Sequence, residues 1–374
     1  MLDINTEYFY PMKTISSLIC IFVVVSVANA TIHTVSNNGF PAEYTNLTTA
    51  ITAANPGDTL HIAGSNLSYG TITLAKSLTL MGEVAWPATG TSTWLDRLIL
   101  NAGAEGTRIA GFQIWQNSVA NAVEINCDDV VIERCYIGRT VSQGSSNGTV
   151  TVIGSHSDLT IRHCYITGGT GVNSSKIDLN NMSNVVIANN VIHNGGAPGT
   201  NEAAGNLLTN SSQSTVTISN NLFIHNYVTS PFYALTSTVH SGVVINNIFW
   251  GPQARIHNSV TGCVFNNNLQ WQTNGAALPL PNNSGSGNLV VDPQFVNAPD
   301  RALTNTYDYD LQVGSPGHLT GSDGADRGIS GGGVPWPKNY GYPRVPRVTN
   351  ISLVNGTIPE GGSLNTTVDG VKVD

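Results

Sequence analysis

The stretch Val185-Val186-Ile187-Ala188-Asn189-Asn190-Val191-Ile192 decides the fold, because five other segments repeat its pattern. Two precede it: Val130-Val131-Ile132-Glu133-Arg134-Cys135-Tyr136-Ile137 and Leu159-Thr160-Ile161-Arg162-His163-Cys164-Tyr165-Ile166. Three follow, at 216–223, 242–249 and 263–269. The equivalent residues Ile132, Ile161, Ile187, Ile218, Val244 and Phe265 are separated by 29, 26, 31, 26 and 21 positions. A step of that size is one coil of a parallel β-helix, and it is too irregular for leucine-rich or propeller repeats. In each segment apolar residues alternate, sending one set into a bore and the other outward. A two-residue polar corner follows, then a second short strand. Stacking the coils aligns Cys135, Cys164, Asn190, Asn221, Asn247 and Asn268 in one ladder. At a strand spacing of ~4.8 Å such side chains hydrogen-bond along the coil axis and hold a bend.

Upstream, Leu78-Thr79-Leu80, Leu98-Ile99-Leu100 and Ile109-Ala110-Gly111-Phe112-Gln113-Ile114 read as three looser coils. Before them Tyr44, Leu47, Ala50, Ile51 and Ala54 fall at helical spacing and stop at Asn55-Pro56-Gly57-Asp58. A short amphipathic helix there caps the solenoid, whose open end otherwise exposes unpaired strand edges.

Charged residues are only 10% of the chain, against about 25% in an ordinary soluble domain. Asn, Thr, Ser and 39 Gly supply the polarity, which favours strands and turns over helices. A net charge of −8 with 15 basic residues argues against nucleic acid as a partner. Lys13, the apolar run from Leu18 to Val27 and Ala28-Asn29-Ala30 read as a signal peptide over 1–30, with 1–11 an upstream extension. The expectation is a secreted or cell-surface protein without a transmembrane anchor in its mature chain. Four cysteines then remain, Cys127, Cys135, Cys164 and Cys263, none in a CxxC pair. Cys135 and Cys164 are ladder neighbours, read as buried thiols rather than a disulfide.

The stretch from Tyr44 to Tyr69, with Leu47-Thr48-Thr49-Ala50-Ile51 and Asn55-Pro56-Gly57-Asp58-Thr59-Leu60, resembles the opening of secreted bacterial β-helix proteins of the pectin-lyase-like superfamily. Tyr309-Asp310-Leu311-Gln312-Val313-Gly314-Ser315-Pro316 and Gly321-Ser322-Asp323-Gly324-Ala325-Asp326-Arg327-Gly328 are similar to their closing segment. The resemblance implies an all-β, right-handed parallel β-helix of about nine or more coils over 31–330. A Gly/Pro linker is expected at 331–347, then the start of an appended β module or sorting tail at 348–374. Pectate lyases, polygalacturonases, alginate lyases, phage tailspikes and surface proteins of no known reaction share that fold, so it names no activity.

A uronate lyase needs a carboxylate-bound cation, usually Ca2+, and a strong base. Asp128, Asp129 and Glu133, with Arg134, Arg162 and His163, are the catalytic candidates. Asp128 and Asp129, with Asp323 and Asp326, are the metal candidates. The plainer alternatives are a turn for Asp128-Asp129, an exposed cross-coil ion pair for Glu133 and Arg162, and closing turns for Asp323 and Asp326. The aspartate and basic motifs of polygalacturonases are missing, and lysines that could grip a polyuronate are few. His193, His225 and His257 recur at 32-residue steps, but His193 falls opposite Ile224, which points to corner histidines with satisfied hydrogen bonds. Trp250 and Trp271 share a ladder position, to stack on sugar rings if outward or fill the bore if inward. Two functions remain. One is a glycan-binding, adhesive or structural β-helix. The other is a polysaccharide lyase or hydrolase, which an outward cluster of three carboxylates with one arginine would favour.

Overall fold

The computed structural model describes residues 30–83, 91–118, 120–140, 148–168, 175–195, 206–210, 215–228, 232–237, 241–302, 304, 306–336, 347–353 and 366–371. Residues 1–29 of the expected leader lie outside them. Over the described residues the chain winds through three parallel sheets of ten, nine and seven strands. One coil runs through Val130–Glu133 in the first sheet, Tyr136–Arg139 in the second and Val150–Val152 in the third. The next coil opens at Ser157–Arg162, paired in parallel with Val130–Glu133. The register is the one the repeats imply: Ile132 pairs with Ile161, Ile161 with Ile187, Ile187 with Ile218, Ile218 with Val244 and Val244 with Phe265. All six fill the bore without exposed surface. Leu98-Ile99-Leu100 is not a coil of its own. It lies in the third-sheet strand Arg97–Leu100, because a short apolar run carries no mark of which sheet it joins.

The first-to-second-sheet corner divides its work between two residues. Arg134, His163, Asn189, Asn220, Asn246 and Asn267 all take positive φ, between 53° and 58°. This is the left-handed conformation that asparagine tolerates better than most residues. The next residue points inward. Asn190 Nδ2 donates to Asn221 Oδ1, Asn221 to Asn247, Asn247 to Asn268 and Asn268 to Asn288, each at 3.0 Å. Each of these four donors also reaches a carbonyl of the preceding coil, Ile161, Ile187, Ile218 and Val244. At the N-terminal end of the ladder Cys164 N–H donates to Asn190 Oδ1, and Cys135 and Cys164 are buried free thiols, as are Cys127 and Cys263.

The helix Leu47–Ala53 begins at Asn46, whose side chain accepts from Thr49 N–H, and buries Leu47, Ala50 and Ile51 over the first coil. Beneath it Asp58 accepts from Thr31 and Asn55 N–H at 2.8 and 2.7 Å, while His33 bridges Glu43 and Asp58. After the last coil, residues 291–336 form a strap, including the antiparallel pair Phe295–Asn297 and Asp308–Leu311. The strap runs back along the corner, held by the outward corner side chains. Asn267 donates to Thr320 O, Asn246 to Ser322 Oγ, Asn220 to Gly328 O, Asn189 to Gly331 O and His163 to Val334 O. Gly331 to Trp336, expected to open a linker, is thus packed on the coils, while 337–346 lies outside the described residues. Arg347–Leu353 pairs antiparallel with Thr366–Val371. Among the described residues no helix is long and apolar enough to cross a membrane.

Replacing Asn221 by Ala leaves the Asn190 N–H and the Ile187 carbonyl without their partners inside the bore. Urea unfolding is expected to show a loss of about 3 kcal/mol, and an unchanged midpoint would refute the ladder's role. At the N-terminal cap, hydrogen bonding to Glu43 raises the His33 pKa, while the N–H groups of Thr31 and then Asn55 lower that of Asp58. The Asp58 contribution is present above ~4 and fades as pH falls through its lowered pKa. The His33 contribution is full below ~6.5 and fades as pH rises through its raised pKa. The stability difference between the parent and His33→Gln should therefore peak near pH ~5 and vanish in alkali.

Candidate functional site

Glu133 and Arg162 do share a ladder position, but the pair is not an exposed one. Arg108 joins from the preceding coil, and the Glu133 side chain is 3% exposed between guanidiniums that are 41% and 35% exposed. Glu133 Oε1 accepts from Arg108 Nε at 3.0 Å and Oε2 from Arg162 Nε at 2.7 Å. Burial alone would raise the Glu133 pKa; the two arginines, Arg108 foremost, outweigh it and hold the carboxyl below its ordinary range. Arg134 and His163 stack at the corner, both buried. Burial pushes His163 down to about 4, so the ring is neutral, and its Nε2–H is committed to Val334 O.

Asp128 and Asp129 stand exposed in the turn entering the first sheet, with Asp128 accepting from Ser157 N–H and facing His156. Asp323 accepts from Ala325 N–H, and Asp326 accepts from Leu319 N–H and pairs with His318, all within the strap. These carboxylates are dispersed. Among the described residues no three His, Cys, Asp or Glu side chains are grouped to hold a metal ion.

Trp250 and Trp271 stack at 5.2 Å, and they face outward from the second sheet. Trp250 is nonetheless buried, because Phe295 of the strap lies 5.2 Å over it. Alternation shows the side of a strand, not what later covers that side. His193 is indeed opposite Ile224, with its Nδ1 accepting from Gly195 N–H and its Nε2–H given to Arg301 O. It is a corner histidine held neutral by burial, at about 4.

Beyond Trp250, the outer face of the second sheet carries a row of half-buried and buried rings. Trp115 lies 5.2 Å from Tyr136, Tyr136 6.5 Å from Tyr165, and Tyr165 4.9 Å from Trp336 at the end of the strap. Gly138 makes room for the first of them, since a β-carbon there would come within 2.2 Å of the Trp115 ring. At the Trp336 end the row opens into a pocket lined by Tyr165, Tyr307, Asp308, Tyr309, Asp310, Ile329 and Trp336. Aromatic faces beside carboxylates that accept hydroxyl donors are what binds a sugar ring. None of the pocket residues except Tyr165 lies in a repeat segment. The aromatic sequence Tyr307-Asp308-Tyr309 was the available signal.

No family model matches the chain, and no curated protein matches it. Among solved structures, pectate lyase Pel9A aligns with a TM-score of 0.51 at 15% identity, over 81% of this chain and 96% of that one. The fold the two share is the right-handed parallel β-helix. A pectin methylesterase from Aspergillus niger aligns at TM-score 0.42 and 16% identity, over 70% of this chain and 87% of its own. At such identities the likeness is one of fold, and the chemistry rests on this β-helix's own side chains.

One further pair escaped the sequence analysis. Lys176 occupies the slot filled by Arg97, Ala122, Thr149, Leu207 and Ala234 on other coils, just before the paired residues Leu98, Val123, Val150, Ile177, Leu208 and Leu235. Arg97 at that position is half-buried and paired with Glu124, whereas Lys176 lies wholly inside. It is fully buried beside Gly168, and burial, then the charge of Arg139, lowers its pKa to about 7. Arg139 is buried too, with its Nε and Nη2 lacking hydrogen-bond partners. Since the unfolded lysine holds its proton to ~10.5, the unfolded state binds more protons between pH ~7 and ~10.5, and stability rises with pH across that window. Lys176→Met should be more stable than the parent at pH 7, by on the order of 3 kcal/mol, and should lack that rise. Chemical denaturation at pH 7 and pH 10 checks both.

Proposed function

We propose that this β-helix is a secreted or cell-surface glycan-binding protein that holds a polysaccharide along the outer face of its second sheet. The observation that carries this is the aromatic row Trp115, Tyr136, Tyr165 and Trp336, ending in the pocket of Tyr307 to Asp310. A polymer lies along such a row because the half-buried rings of Trp115, Tyr136 and Trp336 offer apolar surface to sugar units, with buried Tyr165 packed between them, while the carboxylates at its end fix orientation. The fold shared with a pectate lyase is in keeping with a polysaccharide partner.

A polysaccharide lyase is the second reading, favoured by one observation. Lys176 is an amine with a pKa of about 7, suited in that respect to take a proton in neutral solution. It is fully buried, however, and among the described residues the carboxylates that would carry Ca2+ are dispersed. Binding is therefore preferred over catalysis.

Two measurements on the full chain separate these readings. In affinity electrophoresis against a panel of plant and bacterial polysaccharides, at least one polymer should retard the protein. Trp115→Ala, Trp336→Ala and Gly138→Ala, the last by displacing the Trp115 ring, should each weaken that retardation about fivefold or more. Ultraviolet absorbance with uronate polysaccharides, in calcium and in chelator, should stay flat. A calcium-dependent rise, the mark of a new carbon–carbon double bond, would replace the binding reading with the lyase.

A further inference from the structure

Asparagine followed by glycine is the pair at which a polypeptide most readily modifies itself. The glycine nitrogen, with no β-carbon beside it, attacks the asparagine side-chain carbonyl. A five-membered imide forms, and the side-chain nitrogen leaves as ammonia, taking the proton of the attacking N–H. Water then opens the ring at either carbonyl. The amide has become an aspartate or an isoaspartate, and the local charge falls by one. The reaction needs an asparagine side chain free to turn back on the chain and a glycine N–H outside any hydrogen bond. Five such pairs occur in the sequence, beginning at Asn38, Asn147, Asn194, Asn274 and Asn355. Asn147 and Asn355 lie outside the described residues.

The fold treats the other three differently. Asn38 is clamped: Ser36 Oγ and Phe40 N–H donate to its Oδ1, and its Nδ2 donates to Gly64 O. Asn194 is buried, its Oδ1 accepts from Asn226 N–H at 3.1 Å, and Gly195 N–H is given to His193 Nδ1 at 2.7 Å. Asn274 stands in the turn after the strand Leu269–Trp271, where its own N–H donates to Pro252 O at 3.0 Å. Its side chain is exposed, and among the described residues neither that side chain nor Gly275 N–H has a hydrogen-bond partner. Gly275 cannot be exchanged without strain, since a β-carbon there would come within 2.7 Å of Arg255 Cβ. Packing against Arg255 therefore preserves the reactive pair. We infer that Asn274 is a site of spontaneous deamidation in the folded protein, and that the fold protects Asn38 and Asn194. The product places a new carboxylate, and in its isoaspartate form an extra backbone methylene, in the turn that Gln270 braces through Ala276 O and Leu278 N–H.

The test is peptide mapping by mass spectrometry of the full chain, aged in mildly alkaline buffer with and without urea. Deamidation reads as a gain of one mass unit, and methylation by an isoaspartyl methyltransferase reports the isoaspartate. In the folded protein the Asn274 peptide should convert at least about tenfold faster than those of Asn38 and Asn194, which react only through local opening. In urea the three should convert at closely similar rates, because each is then an unfolded Asn-Gly pair. Equal rates in the folded protein overturn the inference. So does an Asn274 that converts in urea but stays intact in the folded chain. If Asn274 leads by the same factor in urea, the preference comes from local sequence, and the protection assigned to the fold at Asn38 and Asn194 is refuted.

Discussion

A chain that turns through a sheet corner in two residues must satisfy the backbone groups of the bend inside a dry bore, and everything else in this protein depends on how it does so. The inward asparagine provides the answer. Its amide is a donor and an acceptor at once, so Asn190, Asn221, Asn247 and Asn268 each bond the amide of the next coil and a carbonyl of the one before. Burying an unpaired amide costs several times what a made bond contributes, so the ladder is closer to a requirement of stacking than an embellishment of it. Toward the N-terminus the same slot passes to Cys164, Cys135 and then Phe112, all buried, and the bend there relies on apolar packing.

The residue just before each ladder position has a different task. Its left-handed backbone makes the turn, and its side chain is left outside, in line with those of neighbouring coils. Those side chains hold the strap in place, from Asn267 at Thr320 to His163 at Val334. In an Asn-Asn corner the second asparagine therefore builds the solenoid and the first dresses it. The consequence is functional: the strap covers the outer face of the second sheet around Trp250 and is described as far as Trp336, beside Tyr165, while Tyr136 and Trp115 are half-buried. The candidate site exists at this boundary, with one wall from the coils and the others from the strap.

Charge is used sparingly, and mostly inward. Glu133 is sandwiched by two arginines, His163 and His193 are neutral because they are buried, and Arg301 and Arg327 tie the strap to the last coils. These groups look like active-site chemistry in a sequence, yet each has its bonds committed to holding the solenoid together. Lys176 and Arg139 are two further buried cations, and the charge of Arg139 adds to burial in lowering the Lys176 pKa.

The sequence by itself determined the coil, its register and its corner, because those follow from a local period repeated many times: alternation, two polar residues, alternation again. It also determined the capping helix, from the spacing of Leu47, Ala50 and Ile51, and the shared ladder positions of Glu133 with Arg162 and of Trp250 with Trp271. Only the tertiary structure decided which outward positions meet water. Trp250 and Trp115 stand on outer faces of the same sheet, and nothing local separates them. Among the described residues one lies under Phe295 and the other does not, because a segment far along the chain folds back over the coils of the first. The pocket belongs to the same class, since Tyr165 meets Tyr307 to Asp310, Ile329 and Trp336 only after that return. Periodicity encodes contacts between neighbouring coils, whereas the strap's path is set by many small hydrogen bonds across more than a hundred residues, such as Asn189 to Gly331, that leave no period to read.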